Sequence, residues 1–447
     1  MPLRATTAIL VLLALAGVAL PRAMSAAVEA PAGFTPLFNG TDLTGWWGLA
    51  TEDPAKWQGL PADQLAAKKA ASQADIRSHW RVEGDELVND GAGLYLTSDA
   101  DYGDIELRLE YKTVAQADSG VYLRGCPQVQ IWDTTEAGGK WNLGADKGSG
   151  GLWNNSPGAP GKDPLVKADK PFGEWNRLRV IMVGEHVVVW LNDQVTVDFA
   201  RLENYFARSQ PLPRRGPIQL QTHGGEIRWR KVLVRPIGGD EALQILRAHG
   251  PDRTAVSALP PVFNGKDFTG WAGPVENYEV VDGAIQCKPG KGGTIYTQAV
   301  YGDFNAHVEF RLPPAGNNGL AIRYPGEGDT AYVGMCELQV LDSEDPSYAK
   351  LDARQYHGSA YGLAAASRGY LNPLGQWNYE EVAVIGSTIR VELNGTRILD
   401  TDLAKIQPPY LDDKKHPGKE RTEGHFGFAG HNDPVAFRNV AVGAVAH

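Results

Sequence analysis

The feature that most constrains this 447-residue chain is that it is written twice. FTPLFNGTDLTGW (Phe34 to Trp46) returns as LPPVFNGKDFTGW (Leu259 to Trp271). WRVEGDELV at Trp80 is answered by YEVVDGAIQ at Tyr278, and YGDIELRLEY at Tyr102 by YGDFNAHVEF at Tyr301. SGVYLR (Ser119 to Arg124) pairs with NGLAIR (Asn318 to Arg323), and QVQIWD (Gln128 to Asp133) with ELQVLD (Glu337 to Asp342). Trp175-Asn176 followed by VVVWLND (Val187 to Asp193) matches Trp377-Asn378 followed by IRVELNG (Ile389 to Gly395). The closing stretch from Gly216 to Val234 matches Gly424 to Val442. So many blocks in one order mean a tandem duplication, and any fold must serve both copies.

The blocks alternate with period two. In Asp104 to Glu110, Ile105, Leu107 and Leu109 point one way while Glu106, Arg108 and Glu110 point the other, the pattern of a half-buried antiparallel strand. Many such strands, with turns drawn from 52 glycines, predict an all-β sandwich or jelly roll in each copy. Two stretches read as helix: an insertion at about 61–76 in the first copy, and Asp240 to Ala248, stopped by Gly250-Pro251. The expected layout is a first domain at 34–238, a short helical linker at 239–259 and a second domain at 260–445.

Residues 1–27 read as a signal peptide. Arg4 supplies the positive end, Ile9 to Leu20 an apolar run of 12 residues, and Ser25-Ala26-Ala27 a small-residue cleavage site. Spanning a bilayer takes about 20 apolar residues, so no membrane insertion is expected after its removal. The expected location is periplasmic or extracellular. Loss of 1–27 removes two arginines and no acid, taking the formal charge from −10 to −12 and arguing against nucleic acid as a partner. The three cysteines, Cys126, Cys287 and Cys336, are too few and too scattered for a disulfide framework or a zinc ribbon.

Strand parity sorts the polar residues. With Val121, Leu123, Val129 and Ile131 in the core, Tyr122, Arg124, Gln128, Gln130 and Trp132 share the opposite face. A cation, flat aromatic faces and amides suit a sugar ring, by stacking and by paired hydrogen bonds. The second copy offers Arg323, Glu337 and Gln339 there. For one strand a solvated outer face is the better reading; for both strands in both copies a site is favoured. Asp133 and Asp342 end their strands with the other parity, as turn-forming aspartates do. His223 and His431 fall at the same place in the repeats; His357 has no counterpart. No phosphate loop, HExxH or GxSxG is present, nor adjacent carboxylates spaced for a retaining glycosidase.

Together the F-N-G-x-D-(L/F)-T-G-W, S-G-(V/I)-Y-L-R, E-L-Q-(V/I)-L-D, G-x-W-N and L-N-G motifs and the closing strand resemble the 3-keto-disaccharide hydrolase family, also described as the 3-keto-glycoside 1,2-lyase/3-keto-2-hydroxy-glucal hydratase domain. The resemblance covers both copies. It implies tandem concanavalin A-like jelly rolls, export, and action on 3-keto-glycosides by removal of the C2 proton and loss of the C1 substituent, with or without rehydration. It further implies Glu337 or His357 as base or acid, Arg323 facing the enolate, and Asp342 and His431 as supports or metal ligands. Arg124, Gln130, Asp133 and His223 would be placed likewise in the first copy, where Gln128 replaces the acid. A divalent cation, calcium or manganese, is compatible with this set, but the spacing does not demand one. The rival expectation is a non-catalytic, lectin-like saccharide binder, or one binding copy beside one catalytic copy.

Overall fold

The computed structural model describes residues 30–249 and 259–445; the proposed signal segment lies outside them. Each copy is a sandwich of two antiparallel sheets. The front sheet of the first copy holds β1 (Trp46–Leu49), β2 (Tyr95–Ser98), β3 (Asp118–Leu123), β4 (Cys126–Trp132) and β5 (Gln219–Leu220), in the order β1-β2-β5-β3-β4. Its equivalent in the second copy holds β6 (Trp271–Ala272), β7 (Gly292–Thr297), β8 (Asn317–Tyr324), β9 (Cys336–Leu341) and β10 (His425–His431), in the order β6-β7-β10-β8-β9. The order is the same, so the duplication in sequence is a duplication in topology. Behind each front sheet lies a larger one, eight-stranded in the first copy and seven-stranded in the second.

The inward faces of the two sheets make one apolar core per copy. Leu107, Val121, Val129 and Val189 belong to the first, and Val308, Leu320, Leu338 and Val391 to the second. The repeated W-N and L-N motifs turn out to be one device. Asn192 and Asp193 take left-handed conformations (φ 49° and 66°), as do Asn394 and Gly395 (51° and 75°), the two-residue turn that matches strand twist. The turn amide then reaches back: Asn192 Nδ2 donates to Asn176 Oδ1 at 2.7 Å, and Asn394 Nδ2 to Asn378 Oδ1 at 2.9 Å. Each turn asparagine also accepts the amide N–H that follows the W-N pair, both at 2.9 Å.

The insertion is a helix, α1 (Ala62–His79), laid against β1. A second helix, α2 (Gly239–His249), leaves the first copy and packs Leu243 and Leu246 beside Tyr379 of the second. The copies also meet through a buried pair, with His186 Nε2 3.0 Å from Glu392, and through the Glu185 amide donating to the Gly395 carbonyl at 2.9 Å. No described helix is long and apolar enough to cross a membrane. Cys126, Cys287 and Cys336 are free and buried.

Candidate active site

The outward face of β8 and β9 forms the floor of a cleft of about 280 Å³ in the second copy. Alternation sends Leu338 and Val340 into the core, which leaves Glu337 and Gln339 facing out. They are still buried, because the loop after β9 folds over its edge: the Gln339 amide donates to the Ser359 carbonyl at 3.0 Å, and the Tyr361 amide to the Glu337 carbonyl at 2.9 Å. Tyr348, Gln355 and Tyr361 from that loop, Tyr332, and Asn317 at the start of β8 complete the walls.

Glu337 is 4% exposed, and its Oε1 lies 3.4 Å from Nε2 of His431, which is half-exposed at the end of β10. The hydrogen bond with Glu337 raises the His431 pKa above its ordinary value of 6.5, against the opposing effect of burial. Gln339 Nε2 donates to Asn317 Oδ1 at 2.7 Å. Gly319 explains the invariant-looking glycine of the repeated strand motif. A Cβ there would fall 2.2 Å from Glu337 Oε1, and one at Gly120 would fall 2.8 Å from Gln128 Oε1. The glycine is the space in which the neighbouring strand's side chain lies.

The structure does not bring every expected residue to this cleft. Arg323 and Arg124 are turned away from it. Both have positive φ, 47° and 53°, next to a register shift in their strand, and this breaks the parity on which the expectation rested. Arg323 is 1% exposed; it donates to Asp303 at 2.8 Å and to the carbonyls of Gly302, Gly386 and Arg421. Arg124 holds Asp104, Gly103 and Pro213 in the same way. Each arginine ties loops together at the end of the sandwich, so neither faces an enolate. Asp342 accepts the Ala315 amide at 3.0 Å, and Asp133 accepts the amides of Gln116 and Thr135, so both fasten turns. Burial raises the Asp133 pKa, but the Thr135 and backbone hydrogen bonds outweigh it and hold the carboxyl below its usual range. His357 is 4% exposed inside the sandwich, 3.1 Å from Glu380 and against the Phe310 ring; it does not line the cleft.

In the first copy Gln128 donates to Gln130, whose Nε2 donates to Asp118 at 2.8 Å, and His223 Nδ1 stands 2.8 Å from the same carboxylate. Tyr122 is 2% exposed, bonded to Thr51 and edge-on to Tyr95, so its ring is not free to stack on a sugar. Trp132 is 5% exposed, bonded to the Gly148 carbonyl and packed on Trp153. Sequence reasoning missed Asp118 and Asn317. Both sit one residue before the repeated block, with the parity of its glycine, and the block extended by one position would have included them.

Among the described residues no group of three or more His, Cys, Asp or Glu stands close enough to hold a metal ion. Glu337 and His431 by themselves do not make up the calcium or manganese site that the composition allowed.

Both copies are therefore β-sandwiches with an acid–histidine pair on the front sheet. This chain belongs to the 3-keto-alpha-glucoside-1,2-lyase-like domain family, whose sequence model matches residues 33–235 and again 260–443. A 3-keto-disaccharide hydrolase of Bacteroides thetaiotaomicron is 27% identical over 223 residues, covering 40% of this chain and 76% of that protein. Among solved structures, a candidate glycosyl hydrolase from Parabacteroides distasonis is 23% identical over 41% of this chain and 93% of its own, with a TM-score of 0.36. The carbohydrate-binding module CBM66 from Bacillus subtilis is 15% identical over 40% of this chain and 97% of its own, with a TM-score of 0.25.

Proposed function

We propose that this chain is an exported hydrolase of 3-keto-glycosides that works by elimination and rehydration. The observation that carries the reading is the Glu337–His431 pair, a buried carboxylate beside a partly exposed histidine in a cleft lined by tyrosines and amides. The family match and the name of the Bacteroides relative support the substrate class. The apolar stretch from Ile9 to Leu20, followed by small residues, supports export to the periplasm or beyond.

The chemistry suits the pair. A ketone at C3 acidifies the C2 proton, which the Glu337 carboxylate takes as the C2–H electrons pass into the enolate. The enolate collapses to a C1=C2 bond, the C1–O bond breaks, and protonated His431 supplies the proton for the departing oxygen. The raised His431 pKa keeps it charged at higher pH, as an acid in this role needs. Water then adds at C1 and a proton returns to C2, so the net result is hydrolysis. Tyr348, Tyr361, Gln339 and Asn317 offer an aromatic wall and amides to fix the ring.

The test is aglycone release from para-nitrophenyl 3-keto-glucoside and from its unoxidised parent. Release from the keto sugar alone is the expected result. Binding of intact saccharide with release from neither would overturn it and leave a lectin-like protein.

A further inference from the structure

We propose that the first copy holds a second acid–base site, made by Asp118, His223 and Lys140, for the same class of keto sugar. This rests on the function proposed above. It arises from an exchange between neighbouring strands. The second copy carries an amide on β8 (Asn317) and its carboxylate on β9 (Glu337). The first copy carries the carboxylate on β3 (Asp118) and the amide on β4 (Gln128). Gln128 at the position of Glu337 therefore does not leave the first copy without an acid; the acid has moved one strand over. In each copy the acid lies beside the histidine of the repeat (His223 or His431), and the repeat's glutamine donates to the residue one before the repeated strand block, Gln130 to Asp118 and Gln339 to Asn317.

The geometry is tighter than in the second copy. Asp118 Oδ1 accepts from Gln130 Nε2 at 2.8 Å, while Oδ2 lies 2.8 Å from His223 Nδ1 and 3.0 Å from Lys140 Nζ. The Asp118 side chain is 11% exposed and the His223 ring 55%, so the carboxylate is largely covered and the histidine opens to solvent. Trp141, the next residue after Lys140, is 38% exposed, with Lys167 Nζ over its ring at 5.4 Å from the centroid. Lys140 also adds what the other cleft does not have, since no Lys or Arg is among the residues lining it.

In the first copy the step runs as follows. Lys140, on its flexible stem, swings from Asp118 to the C3 oxygen and frees Oδ2. Oδ2 takes the C2 proton, and the negative charge that develops on the C3 oxygen faces the ammonium. The enolate then collapses to the C3 ketone and a C1=C2 bond, the C1–O bond breaks as protonated His223 gives its proton to the departing oxygen, and Asp118 passes the C2 proton to His223, which completes the elimination.

The experiment compares the full chain with Asp118→Asn, Glu337→Gln and the double variant, reading aglycone release from para-nitrophenyl 3-keto-glucoside. Each single variant is expected to lose the turnover of its own copy and to retain that of the other, and the double variant to fall a further ~10²-fold or more. In the Glu337→Gln background, Lys140→Gln is expected to lower kcat by roughly 10²-fold with KM little changed, which a lysine that merely tethers a loop would not do. Glu337→Gln as inactive as the double variant, with Asp118→Asn at the wild-type rate, would overturn the second site. If the wild-type chain releases no aglycone, the proposed function fails by itself, and binding of methyl 3-keto-glucoside decides. Two ligands per chain falling to one in Asp118→Asn support the site; one in both chains overturns it.

Discussion

Glu337→Gln, introduced into a chain whose first copy has been neutralised by Asp118→Asn, is expected to lower kcat/KM on a 3-keto-glucoside by about 10²–10⁴-fold. Glutamine fills the same space over Gly319 and keeps a polar group opposite His431, so the fold should tolerate it; the first copy has Gln128 at this very position. What is lost is the proposed base. The hydrogen bond to Glu337 is also the largest reason that the His431 pKa is raised, and the Glu337 charge adds to it, so in the variant that histidine should titrate at lower pH than in the parent, read directly by NMR. In the parent, activity that needs charged His431 is full below its ordinary value of 6.5 and is lost as pH rises through the raised one. Unchanged turnover in the double variant, or a His431 titration that does not move, would contradict the pairing.

The second large effect is on stability. Arg323→Ala is expected to cost about 3–5 kcal/mol, because it removes one partner of a buried charge pair and leaves three carbonyls without their donor. For a domain of this size the melting temperature should fall by about 6 °C or more. Below the new melting point kcat should stay close to that of the parent, since the guanidinium faces Asp303 and backbone rather than the cleft. A collapse of kcat with unchanged melting would restore Arg323 to the chemistry and refute its role as a clamp.

Arg323 also marks where the sequence stopped being legible. Duplication and period-two alternation were enough for two tandem sandwiches, because hydrophobic burial enforces parity wherever a strand is regular. Parity also placed Glu337, Gln339, Gln128 and Gln130 correctly on the outward face of the front sheets. It failed where the backbone bulges: Arg124 and Arg323 sit at positive φ beside a register shift, and alternation cannot see a bulge. It failed differently for Tyr122 and Trp132, which do point outward but are covered by Thr51, Tyr95 and Trp153 from segments distant in sequence. His357 was misleading for a related reason. The resemblance offered it as base or acid, yet the loop tucks it against Glu380 inside the sandwich. Asp118 and Lys140 could be joined to His223 only once the loop after β4 was seen to cross the sheet.

In the proposed mechanism the bond at C1 breaks because a proton leaves C2. The most direct measurement is the rate of aglycone release from a 3-keto-glucoside deuterated at C2, set against its protiated twin. Slower release from the deuterated sugar, with a primary isotope effect on kcat/KM, is the result this account expects. Equal rates from the two sugars, with release still dependent on enzyme, would show that C2–H cleavage does not limit the reaction and would favour direct hydrolysis at C1 over elimination.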